Sequence, residues 1–101
     1  MGSENEDHFW DLAEEMIATS RAQEGTIMGH RCIRRADGEF LAMFSRTEDA
    51  CVVKLTPARV SELIQDEAAA PFAPAGKVFK AWAAVTAPGS FQKLLEEAAE
   101  A

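Results

Sequence analysis

Three residues with ligand chemistry stand at alternate positions in the stretch MGHRC, where Met28, His30 and Cys32 offer a thioether, an imidazole and a thiol. On one extended backbone all three would project from the same side. Such a set suggests a transition-metal or redox site. Side chains two apart on a strand nevertheless stand roughly 7 Å from one another, too far for three in a row to close on one small ion. The expectation is therefore a strand face, with Met28 and Cys32 packed in a core and His30 near an edge. The other thiol, Cys51, lies in a separate apolar segment without CxxC spacing, so buried free thiols are expected, and a Cys32–Cys51 disulfide stays open.

Two further constellations carry charge. Asp7, Asp11, Glu14 and Glu15 are spaced to share a helical face, a ridge that could attract iron or another hard cation, although a solvated helix face has the same pattern. Lys54 and Lys80 interrupt otherwise apolar strand segments, and with Arg31, Arg34, Arg35 and Trp82 they could line one concave surface. An indole among cations suits a stacked base, a peptide aromatic or a small anionic ligand. The alternative is a core Trp82 with lysines that guard sheet edges. Ser20, Ser45, Ser61 and Ser90 lack the strained turn of a nucleophile, and Gly25, Gly29 and Gly38 form no phosphate loop, so no catalytic residues and no cofactor are expected.

The elements that must position these residues follow from apolar periodicity. Phe9, Leu12, Ala13, Met16 and Ile17 recur at helical spacing, with Asn5 or Asp7 as cap and an end near Ser20. TIMGHRCIRRA and EFLAMFS flank Asp37-Gly38, a hairpin turn signal, and ACVVKL reads as a third strand after the turn RTED. Thr56 and Pro57 open a short helix with Val60, Leu63 and Ile64 inward. DEAAAPFAPAG reads as a loop. KVFKAWAAVT alternates Phe79, Ala81, Ala83 and Val85 with Lys80, Trp82 and Ala84, and a last helix repeats the stripe with Phe91, Leu94, Leu95 and Ala98. The pattern predicts an α+β fold: an antiparallel β-sheet with N- and C-terminal helices packed on it and a short helix after the third strand.

With 101 residues, 48% of them hydrophobic, the chain fits a single domain with one core. Its net charge of -7 is concentrated in the two terminal segments, and the middle is close to balance. That field disfavours unaided binding of duplex nucleic acid. No apolar run suits a membrane span and the start MGSENEDHFW is acidic where a secretory signal would be basic, so the expected compartment is the cytoplasm.

Several segments together resemble a known family. GTIMGHRCIRRADGEFLAMF, VVKLTPARVSELI, PFAPAGKVFKAWAAV and FQKLLEEAAE are similar, in order, to the pattern of the TfoX N-terminal domain family, related to the YjbR/MmcQ-like proteins, over roughly residues 9–100. This chain has Ile27-Met28 where the family usually has Met-Phe, and His30-Arg31 stand in place of small residues or Pro. The resemblance implies a frataxin-like arrangement of terminal helices on an antiparallel sheet, and a bacterial regulatory domain without established catalytic residues. Together with the cation and indole surface read from the residues, the expectation is a stand-alone, non-enzymatic module, monomer or homodimer, that binds a protein partner or small ligand through Arg31, Arg34, Lys54, Lys80 and Trp82. Nucleic-acid binding by those cations and iron binding by the acidic first helix are the alternatives.

Overall fold

The computed structural model describes residues 3–100, which form an α+β fold. Helix α1 (Glu4–Ala18) is followed by strands β1 (Ala22–Ile27), β2 (His30–Arg35), β3 (Phe40–Ser45) and β4 (Ala50–Lys54). Helix α2 (Pro57–Gln65), strands β5 (Ala70–Phe72) and β6 (Phe79–Val85) and helix α3 (Phe91–Glu100) complete the chain. The strands make one antiparallel sheet in the order β1-β2-β3-β4-β6-β5.

The expected order of elements stands, with six strands rather than four. The segment expected as one strand from Thr26 is a hairpin: Met28 and Gly29 both take positive φ, 50° and 78°, and reverse the chain between β1 and β2. Gly38 supplies the positive φ of the β2–β3 turn, where the Asp37 carboxylate accepts from the Glu39 N–H. The proline segment expected as loop contributes β5, a three-residue edge strand, where a proline's missing donor faces no neighbour. The cap of α1 is Ser3, whose hydroxyl accepts from the Glu6 N–H. Asn5, expected as a cap, instead donates to the Thr86 carbonyl and to Asp49, pinning the helix start to the β3–β4 turn and the exit of β6.

All three helices cover one face of the sheet. Phe9, Ala13 and Met16 of α1, Val60 and Leu63 of α2, and Phe91, Leu94 and Leu95 of α3 bury against Ile33, Leu41, Cys51, Val53, Ala83 and Val85. Full burial of a side chain such as Phe9 or Leu95 contributes about 2–3 kcal/mol of transfer free energy. The Arg59 guanidinium bonds the Glu97 carboxylate at 2.8 and 3.2 Å, tying α2 to α3 and raising the arginine's pKa, chiefly through that hydrogen bond.

The opposite face has a smaller apolar cluster made by strand residues alone: Cys32, Phe40, Met43, Ala50, Val52, Phe72 and Ala84, with Phe79 and Trp82 at its border. Its aromatic rings stack on one another, Phe40 on Trp82 at 4.4 Å and Phe79 on Trp82 at 5.0 Å between centroids. Sequence alternation would put Phe79 and Trp82 on opposite faces. A register irregularity pairs Phe72 with Phe79 directly after Pro71 with Ala83, and this bulge turns Phe79 onto the Trp82 side.

Candidate ligand-binding site

The residues of MGHRC are dispersed. Met28 is an exposed hairpin tip, His30 is exposed at the start of β2, and Cys32 is buried in the helix-free cluster. Cys51 is buried under the helices on the other face, so the sheet separates the two free thiols. Burial pushes the Cys51 thiol well above its ordinary pKa. Burial also raises Cys32, opposed by the positive charge of Arg34. His8 stacks on Phe91 at 5.8 Å. Among the described residues no three His, Cys, Asp or Glu side chains gather into a metal-binding group, and the acidic ridge of α1 is not joined by other ligands.

The cations expected on one surface are divided. Arg31 lies 3.9 Å above the Trp10 ring of α1 and bonds Glu24 at 2.7 Å. Arg34 crosses β1 above Gly25, donating to the Gly38 carbonyl at 3.0 Å and the Thr26 carbonyl at 2.8 Å. Both guanidinium groups are thus occupied by the protein itself, and they do not converge. Arg35 is beside Asp37 at 3.6 Å. Lys54 is the register partner of Trp82 across β4 and β6, with its ammonium 3.8 Å from Glu39. Lys80 forms no ion pair with any described residue.

Two openings adjoin these residues. A groove of about 860 Å³ runs past the β1–β2 and β3–β4 turns, with Trp10, His30, Arg31, Phe44 and Arg46 among its walls. Its cations are paired, Arg31 with Glu24 and Arg46 with the buried Glu6 at 2.9 Å. The second is a slot of about 290 Å³ between α2 and the β5–β6 edge, walled by Val60, Ile64, Pro71, Val78, Phe79 and Trp82 and bordered by Lys80. No acidic residue lines it. The slot follows from the fold: the bulge leaves Lys80, Ala81 and Trp82 without register partners on β5 and brings Phe79 and Trp82 to the same side.

Of the five expected binding residues, then, the structure brings Lys80 and Trp82 together at the slot, sets Lys54 next to Trp82, and places Arg31 and Arg34 elsewhere. Ile64, Pro71 and Val78 were not among the expected site residues. The signal that was available for Val78 is its place two residues before Lys80 and four before Trp82, which strand alternation puts on their side; the structure leaves it 52% exposed. No protein-family model, curated protein or solved structure matches the chain. Among the described residues no helix is long and apolar enough to cross a membrane.

Proposed function

We propose that this chain is a non-enzymatic, regulatory binding module of the TfoX N-terminal domain type, and that its partner site is the slot where Lys80 and Trp82 meet. The carrying observation is a preformed apolar opening with an uncommitted cation at its border, on a molecule of net charge -7. Its size, about 290 Å³, is at the lower end of small-ligand pockets. The non-enzymatic reading is supported by the commitment of the reactive groups elsewhere: both thiols are buried, and the Arg31 and Arg34 guanidiniums hold the fold. Two free cysteines accord with a reducing compartment, the cytoplasm.

The test is an amide NMR titration with indole, an uncharged aromatic probe. Saturable shifts at Ile64, Val78 and the Trp82 side chain, ahead of any other site, are the expected result. Shifts gathered around Arg31 and Arg46 would move the site to the larger groove. Shifts at Arg31, Arg34 and Lys54 on adding a DNA duplex would replace this reading with nucleic-acid binding.

A further inference from the structure

Lys80 differs from Lys54 in having no acidic partner. It borders a slot whose polar lining is otherwise neutral, Ser61 and Gln65 of α2. The neighbouring Lys77 is likewise without an ion pair among the described residues. On a chain with seventeen acids against ten bases, an opening lined by one unpaired lysine and no carboxylate, with Lys77 next in the chain to its wall residue Val78, is a local reversal of charge. Apolar walls exclude a strongly hydrated ion such as inorganic phosphate, because burying its charge against Val60, Ile64 and Phe79 would go uncompensated. A ligand that satisfies both features is apolar along most of its length and anionic at one end. The volume admits a single ring or a short acyl chain and not a folded segment of protein.

Resting on the reading of this slot as the partner site, we infer that its occupant is a small amphiphilic monocarboxylate, with its hydrocarbon part between Ile64 and Trp82 and its carboxylate toward Lys80. The apolar walls supply most of the affinity, through surface removed from water. Lys80 supplies discrimination for the anion, and since the ammonium is exposed its contribution is modest.

The experiment compares octanoate with octanol by amide NMR on the intact chain, following Ile64, Val78, Lys80 and the Trp82 indole, with Lys80→Gln and the distant Lys93→Gln as variants. Octanoate should shift these four residues saturably and bind about fivefold more tightly than octanol, as an exposed charge pair allows. Lys80→Gln should bring octanoate and octanol to equal affinity, and Lys93→Gln should leave the fivefold preference in place. Equal binding of octanoate and octanol at the slot would overturn the carboxylate inference and leave the slot as a neutral apolar site. Binding of an apolar, acid-bearing peptide at the same residues with octanoate silent would overturn it in favour of a protein partner. Failure of indole, octanoate, octanol and peptide alike to move the slot residues would overturn both the inference and the reading beneath it.

Discussion

Gly25 and Arg34 depend on each other. A Cβ at position 25 would stand 2.9 Å from both Cδ and Nε of Arg34, closer than carbon contacts allow, so the arginine can cross β1 only because glycine is there. The Ile27–His30 pair closes a two-residue turn, and ladder hydrogen bonds alternate from it, so the polar groups of Thr26 face away from β2. Arg34 satisfies that outward carbonyl and shields the exposed edge of the sheet. Gly25→Ala should therefore cost about 1–2 kcal/mol by displacing two charge-assisted hydrogen bonds, measured by urea unfolding. In an Arg34→Ala background the same change should be neutral or stabilising, since only the conformational freedom of glycine is then removed. Met28 is the reverse case, a residue poorly suited to its place. Its φ of 50° opens a two-residue turn that favours Asn-Gly, and Met28→Asn should stabilise the chain by about 1 kcal/mol, read as a raised unfolding midpoint.

At the scale of elements, α2 is short and held at its first turn by side chains. The Thr56 hydroxyl accepts from the Arg59 N–H at 3.2 Å, and Arg59 reaches across to Glu97. Thr56→Ala should cost about 1 kcal/mol. In a domain of this size that is a fall of about 4–8 °C in Tm by calorimetry. This helix was legible in the sequence because Thr-Pro and the Val60, Leu63, Ile64 spacing are local signals, and α1 and α3 were legible from their stripes for the same reason. The strands were legible only in part. Met28-Gly29 has no Asn or Asp to announce a turn, so the end of β1 and all of β2 read as one strand from Thr26, and Ala22–Gly25 did not read as strand. The prolines around β5 read as loop because nothing local distinguishes an edge strand, where proline is tolerated, from a break. The site suffered most from the bulge. Strict alternation separates Phe79 from Trp82, and only the non-local pairing of β6 with Phe72 brings them together. The split of Arg31 from Arg34 was legible in principle, since adjacent faces alternate, but their capture by Trp10, Thr26 and Gly38 depends on tertiary neighbours.

The molecule as a whole has two unequal cores, with one thiol in each. Cys51 belongs to the larger core, sealed by three helices, and Cys32 to the smaller one, which no helix covers. Regions with less buried apolar contact open with lower free energy than the global transition, so the two thiols should label by different routes. In single-cysteine variants, Cys51→Ala should leave a Cys32 that reacts with a thiol reagent through local opening, at a rate weakly dependent on urea. Cys32→Ala should leave a Cys51 whose reaction accelerates with urea as steeply as global unfolding. Equal urea dependence would mean the faces open together and would contradict the hierarchy. The same burial sets the pH response. Both thiols have folded pKa values above the unfolded value, so between the two values the native state holds more protons than the unfolded one. Their contribution is fully present below about pH 8.5, the unfolded thiol's pKa, and declines as the pH rises above it. Urea midpoints should fall from pH 8 toward pH 10 in the wild-type chain. The fall should be shallower in Cys51→Ala, whose remaining thiol is opposed in its shift by Arg34.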